Sequence, residues 1–127
     1  MAGSATNFLE NILLNHALGN AANTFSASRW LALYTVAPTD TATGTESTGG
    51  SYARKPVTFT SSSVGSSANI LDVDFTNMPA STVVAVAVTD AVTTGNILFY
   101  STLVTSRILA AGDTLRVPAG GLTVSLD

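Results

Sequence analysis

The chain has 127 residues, of which 46% are apolar and only 10% are charged, and its net charge is −3. A disordered chain combines low hydrophobicity with high charge, so this composition predicts one folded domain over residues 1–127. The five basic residues are scattered, apart from the neighbours Arg54 and Lys55. Binding to nucleic acid or to an anionic membrane surface needs a basic patch, so neither partner is expected.

Cysteine is absent, which excludes disulfides and thiolate metal sites. Residues 1–4 lack the basic start of a signal peptide, and the longest apolar stretch, residues 83–88, is too short to span a bilayer. We therefore expect a protein that is made in a cytoplasm and stays soluble until it assembles.

The N-terminal segment predicts one helix over residues 6–18. One face of this helix would carry apolar residues and the single histidine, namely Phe8, Leu9, Ile12, Leu13 and His16. Asn7 and Glu10 have the spacing of a capping box, and Gly19 is placed to end the helix. Because Leu14 and Leu18 widen the apolar surface, we expect the helix to be buried on more than one side.

From residue 30 onward the apolar pattern changes to the period of two that is typical of strands. The predicted strands cover residues 30–36, 55–60, 70–75, 82–90, 96–104, 114–117 and 122–126. Residues 37–51 and 61–68 are predicted loops, and residues 106–111 fit either a helical turn or a loop. Short strands separated by frequent turn residues predict an all-β sandwich or barrel.

Few residues are candidates for chemistry. His16 could act as a general base, but no Asp or Ser is placed to form a relay with it, so a partly buried packing role is expected instead. Asp72 and Asp74 could bind calcium or act as acid and base, yet their spacing fits the wet face of a half-buried strand better. The pairs Gly49-Gly50 and Gly120-Gly121 lack the Lys-Ser or Lys-Thr of a phosphate loop and are predicted turns. No catalytic, cofactor-binding or metal-binding residue is therefore predicted.

The segment from Tyr52 to Arg54 leads from a polar loop into a strand. Tyr and Arg are enriched in buried protein interfaces, so this segment is a candidate contact surface. Alternatively, Arg54 pairs with Glu46 and the segment anchors the long loop to its own sandwich. Both interpretations are open at the level of the sequence.

Short motifs follow one another along nearly the whole chain in a recognisable order. After the amphipathic helix come Leu31-Ala32-Leu33-Tyr34-Thr35, Pro38, Glu46, Gly49-Gly50, Ser51-Tyr52-Ala53-Arg54, Asp90, Gly95-Asn96-Ile97-Leu98, Gly112-Asp113 and Ala119-Gly120-Gly121-Leu122. This order resembles a family of small phage virion proteins that are often described as tail fibre proteins. Some of its members look like head-decoration, or cement, proteins.

The resemblance implies a jelly-roll-like antiparallel β-sandwich of about seven to eight strands, made in the host cytoplasm and assembled on a phage particle. The preferred function is a capsid decoration subunit that binds the major capsid protein and other virion proteins, on the head rather than the tail. The alternative is a tail fibre module that binds a host surface ligand. A homo-oligomer is expected, with a trimer favoured, and neither a cofactor nor enzymatic activity is implied. The expected interface residues are Phe8, Ile12, Leu13, Tyr52 and Arg54.

Overall fold

The computed structural model describes residues 4–21 and 25–126, and over these residues it has ten strands and one helix. In chain order they are β1 (Ser4–Ala5), α1 (Asn7–Ala17), β2 (Trp30–Val36), β3 (Thr45–Glu46), β4 (Lys55–Pro56), β5 (Ser66–Ala68), β6 (Val73–Phe75), β7 (Ser81–Thr89), β8 (Ile97–Leu109), β9 (Leu115–Val117) and β10 (Thr123–Ser125). The prediction of an all-β, antiparallel, sandwich-like fold with one N-terminal helix is confirmed.

A six-stranded antiparallel sheet forms the larger layer of the part of the chain that the structure describes. Its strands lie in the order β1-β8-β7-β2-β3, and β4 also pairs with β2. The strand predicted over residues 30–36 is confirmed at both ends, and the central strand β7 is buried on both faces over most of its length, as its apolar sequence predicts. Two smaller sheets, β5 with β10 and β6 with β9, form the opposing layer.

The core lies between these layers and follows the alternation of residues along the strands. Leu31 and Leu33 of β2 point into it, together with Val86 and Val88 of β7, and Phe75 of β6 packs against them from the other layer. The opposite face of the large sheet carries a second, smaller cluster built around Ala32, Tyr34, Ala85 and Ala87. The large sheet is therefore covered on both sides near its centre.

The helix begins one residue earlier than the capping box predicts. Thr6, not Asn7, is the N-cap, and its hydroxyl accepts a hydrogen bond from the Leu9 N–H at 3.4 Å. The predicted stop is confirmed: Gly19 adopts φ +76°, and the Asn20 N–H donates to the carbonyl of Asn15, which closes a left-handed cap.

Burial of the helix on more than one side, as the sequence suggests, is wrong within the single chain. Only Leu9 is fully buried along α1, and His16, which was expected to be partly buried, is exposed. The helix rests on the sheet through one narrow side, and Leu14 and Leu18 remain open to solvent.

Two predicted segments, residues 70–75 and residues 106–111, differ from the structure. The strand predicted over residues 70–75 starts only at Val73, because Asn69 donates its side-chain amide to the carbonyls of Leu71 and Pro118 and holds a bend before the strand. Leu71 is consequently exposed and does not continue the buried face. The segment at residues 106–111, predicted as a turn or loop, is strand β8 as far as Leu109.

The remaining differences concern short strands. The strand predicted over residues 55–60 is reduced to β4 and an isolated bridge between Phe59 and Asn69. The loops predicted at residues 37–51 and 61–68 contain the two short strands β3 and β5, respectively. Their sequences are rich in Ser and Thr and short of apolar residues, so they carry no alternating pattern that would reveal a strand.

Candidate interaction surfaces

The helix is fixed to the start of β8 by backbone contacts around its N-cap. The Thr6 N–H donates to the Leu98 carbonyl at 3.0 Å, and the Thr6 hydroxyl donates to the Ile97 carbonyl at 2.6 Å. The Asn7 N–H donates to the Asp40 carbonyl at 3.4 Å. These bonds tie one end of α1 to the sheet edge and to the loop after β2, so its orientation is set by the fold.

The predicted interface residues on the helix differ in how far they reach solvent. Phe8 is exposed, whereas Ile12 and Leu13 are half-buried on the side that faces the sheet. The largest exposed apolar side chains in the rest of this segment are Leu14, at 58%, and Leu18, at 70%. The sequence included these two leucines in the wide apolar surface but did not indicate that they would be the most exposed part of it.

Glu10, Leu14 and the C-cap residue Leu18 are four residues apart and exposed, an arrangement that we call the helix stripe. Its Glu10 end lines a depression together with Asp40 and Tyr100. A rotation of about 100° per residue places Leu14 well away from the buried Leu9. Glu10 makes no ion pair within the described part of the chain. The stripe thus joins an uncompensated carboxylate to two exposed leucines.

The second predicted surface, Tyr52 with Arg54, is bound to its own chain. Both Arg54 Nε and one terminal nitrogen donate to Glu46 at 2.9 Å, and the Tyr52 hydroxyl donates to Glu46 Oε1 at 2.7 Å. The Leu33 N–H of β2 donates to the Tyr52 oxygen at 3.0 Å, and the Tyr52 ring stacks on Phe75. The pairing of Arg54 with Glu46, which the sequence offered as one alternative, is confirmed.

Arg54 also ties this cluster to the turn between β7 and β8. Its second terminal nitrogen donates to the carbonyls of Ala91 and Thr94 at 2.8 Å and to the Thr89 hydroxyl at 3.2 Å. Only 8% of its side chain is exposed, against 27% for the side chain of Glu46. The guanidinium is therefore a cross-link between the loop that follows β3 and the far end of the central strand.

Contacts within this cluster lower the pKa of Glu46 and raise the pKa of Tyr52. Burial on its own would raise the pKa of Glu46, but the hydrogen bonds from Arg54 and Tyr52 outweigh it and hold that pKa below its usual value. Burial, reinforced by the hydrogen bond to Glu46, raises the pKa of the Tyr52 phenol far above its usual range. The ionised carboxylate and the neutral phenol are thus the stable forms over a wide range of pH.

Asp72 and Asp74 both lie close to the guanidinium of Arg116 in the same chain. Arg116 of β9 donates to both carboxylate oxygens of Asp74, at 2.7 and 3.0 Å, and one of its nitrogens lies 3.8 Å from Asp72. Hydrogen bonding to Arg116 lowers the pKa of Asp74. Within residues 4–21 and 25–126, no group of three or more His, Asp or Glu side chains is placed to hold a metal ion.

The glycine pairs occur in turns, as the sequence predicts. Gly49, Gly50 and Gly120 all have positive φ. A Cβ atom at Gly50 would lie 2.7 Å from the carbonyl oxygen of Asn77, so this turn needs glycine for space as well as for its backbone angles.

A groove of about 390 Å³ lies along the second half of β8, beside β9. We call it the β8 groove; its lining is both polar and apolar, with Leu103, Leu109 and Leu115 beside Arg107 and Arg116. Arg107 lines the groove, is exposed, and has no ion-pair partner among the described residues. No sequence pattern indicates this groove; beside it the register of β7 against β8 shifts, so that Ala85 faces Thr102 and Val83 faces Arg107.

These features define a small β-sandwich protein that exposes two leucines at its helix and a groove lined by polar and apolar side chains. No helix in the described ranges is long and apolar enough to cross a membrane. Residues 4–125 match the family model described as "Podophage GP4 fiber I protein gp80", so the chain belongs to that family and is a structural, fibre-type phage virion protein. No curated protein matches the chain.

Proposed function

We propose that the chain is a fibre subunit of the phage particle and that it works by binding other proteins, without enzymatic activity. The observation that carries this proposal is the match of residues 4–125 to a family described as a fibre protein. The match spans both layers of the sandwich and the helix, so it concerns the whole described fold.

The surfaces support a role in assembly. Leu14 on α1, Leu18 at the C-cap of α1 and Ile108 on β8 are apolar and exposed, which suits repeated contacts between proteins. The polar cluster around Arg54 cross-links loops inside the chain and keeps the sandwich rigid. A rigid subunit loses little conformational entropy when it joins a particle.

A second candidate is decoration of the head by binding to the major capsid protein. The low charge of the surface favours it, because hydroxyl groups cost less than charged groups to bury against a lattice of capsid subunits. A decoration protein would stabilise the assembled head by mass action, since it binds only the assembled state.

Immunogold labelling of intact particles with antibodies against the purified chain distinguishes the two candidates. Label on the tail or its appendages is expected for a fibre subunit, whereas label spread over the capsid would replace this proposal with head decoration. Particles without any label would contradict both.

Particles made without the chain supply an independent test. Loss of a fibre subunit should reduce adsorption to host cells and leave filled heads stable, whereas loss of a decoration subunit should make heads burst on heating. Complementation with wild-type protein and with His16→Gln should restore the phenotype equally, because the proposed function needs no general base. Failure of His16→Gln alone would point to chemistry at His16.

A further inference from the structure

A pocket of about 230 Å³ lies between the large sheet and the small sheet of β5 and β10. We call it the interlayer pocket. Most of its lining surface is apolar and comes from Phe59, Val88, Leu98, Phe99, Val124 and Leu126. The remaining lining residues are three serines, a glycine and Arg29.

The interlayer pocket leaves apolar surface of the sandwich uncovered. Val88 and Leu98 are buried, whereas Phe59, Phe99 and Val124 are only half-buried where they border it. An apolar cavity of about 150 Å³ holds a benzene molecule, so this pocket has room for a somewhat larger apolar group. Small-molecule sites are typically concave and mostly apolar, with a few polar groups that orient the ligand.

The guanidinium of Arg29 is held in place at this pocket. One of its terminal nitrogens donates to the carbonyl of Ser28 at 2.8 Å and to the carbonyl of Ser26, and its carbon lies 5.6 Å from the centre of the Phe25 ring. Its other terminal nitrogen and its Nε have no hydrogen-bond partner among the described residues. The side chain is thus fixed by its own segment while part of its donor fork stays available.

Arg29 is distinguished by its position, not by its lack of an ion pair, which Lys55 and Arg107 share within the described chain. Among the described residues that line the interlayer pocket, it alone carries a charge. A ligand that fills the pocket therefore meets apolar walls and one cation. Guanidinium groups bind carboxylates through charge-assisted hydrogen bonds, which are stronger than those between neutral groups.

We propose that the interlayer pocket binds a small amphiphilic anion, with its hydrocarbon part between the two sheets and its carboxylate on Arg29. The site lies within one chain and does not depend on which proteins the chain contacts. Its failure would therefore leave the proposed function intact.

Three probes with the same hydrocarbon chain test the charge preference, namely octanoate, octanol and octylammonium. Each is added to the isotope-labelled full chain at neutral pH, up to a few millimolar, and the shifts of the backbone amide signals are followed by NMR. Octanoate is expected to bind with a dissociation constant of about 1 mM or lower, and at least about tenfold more tightly than the other two. Its shifts should concentrate at Gly65, Phe99 and Val124, and the amides of Leu14 and Ile108 should not respond.

Two variants with matched controls test the two parts of the site. Arg29→Gln should weaken octanoate binding about tenfold, whereas Lys55→Gln, which removes a cation outside the pocket, should not. Val124→Phe places a larger side chain in the pocket and should weaken binding by a similar factor. Val104→Phe makes the same change at a fully exposed position of β8 and should have no effect. Circular dichroism checks that each variant is folded, and Arg29→Gln tests the site even if Val124→Phe does not fold.

Any of three results overturns the proposal. If none of the probes shifts the amides that border the pocket, no small amphiphile binds there. If octanol or octylammonium binds as tightly as octanoate, Arg29 does not select an anion. If Arg29→Gln and Lys55→Gln bind octanoate equally well, the carboxylate does not lie on Arg29.

Discussion

Replacement of Arg54 by methionine isolates the cross-link in the loop cluster. Methionine keeps much of the aliphatic stem but removes the bonds to Glu46, to the Thr89 hydroxyl and to the carbonyls of Ala91 and Thr94. Removing one member of a buried ion pair costs about 3 to 5 kcal/mol, because the other charge stays desolvated. Since 27% of the Glu46 side chain is exposed, water can partly replace Arg54, and we expect a loss of about 3 kcal/mol, the lower end of that range.

Urea denaturation followed by circular dichroism measures this loss. With a slope of about 1 to 3 kcal/mol per molar urea, the midpoint should fall by roughly 1 to 3 M, and the melting temperature by about 10 °C. The double variant Glu46→Gln/Arg54→Met should be less destabilised than the sum of the single variants, because it leaves no unpaired charge behind.

Arg116→Met is the matched control for the buried ion pair of Arg54 with Glu46. Arg116 binds Asp74 with equally short bonds, but both side chains are exposed, so its replacement should leave the midpoint unchanged. Equal effects of Arg54→Met and Arg116→Met would refute the reasoning from burial. An undiminished midpoint in Arg54→Met would instead mean that Arg54 is held for contacts outside the chain.

Three further predictions follow from local features. Folding lowers the pKa of Glu46, so its ionised carboxylate stabilises the folded state above the unfolded pKa of about 4.3, and this stabilisation is lost as the pH falls below that value. In a plot of unfolding free energy against pH, Glu46→Gln should therefore flatten the acid side. Glu10→Gln should not. Gly50→Ala should destabilise clearly more than Gly19→Ala in urea melts, because both have positive φ but only Gly50 lacks room for a Cβ atom. Thr6→Ala should cost about 1 kcal/mol in the same melts, and a change of less than a few tenths would contradict its role as N-cap.

The sequence predicts well the elements whose residues are buried in a simple pattern. Strand β2 and the central strand β7 carry dense apolar runs, and both were placed to within one residue. The helix and its stop at Gly19 are also readable, because amphipathic spacing and a left-handed glycine are local signals. Short strands such as β5 form through pairing with a distant strand, β10, and this pairing leaves no trace in their Ser-rich sequence.

The surfaces were predictable only in part. Spacing identifies the helix, but it cannot tell whether Leu13 or Leu14 faces the sheet when both sides of the helix are apolar. That choice is made by the Thr6 hydrogen bonds to Ile97 and Leu98, which connect residues about 90 positions apart. Arg107 was missed for a similar reason, since it lines a groove beside a register shift between β7 and β8 that no sequence pattern indicates.

The scarcity of charge gives the unpaired charges unusual weight. The chain has five basic and eight acidic residues, and Arg54, Arg116 and three of the acidic residues are paired within the described fold. On a highly charged surface, one more cation hardly changes which orientation of a partner is favoured. On this hydroxyl-rich surface, the described charged residues outside these pairs are among the few groups that can distinguish one docking arrangement from another, because electrostatic complementarity fixes register more than it adds affinity.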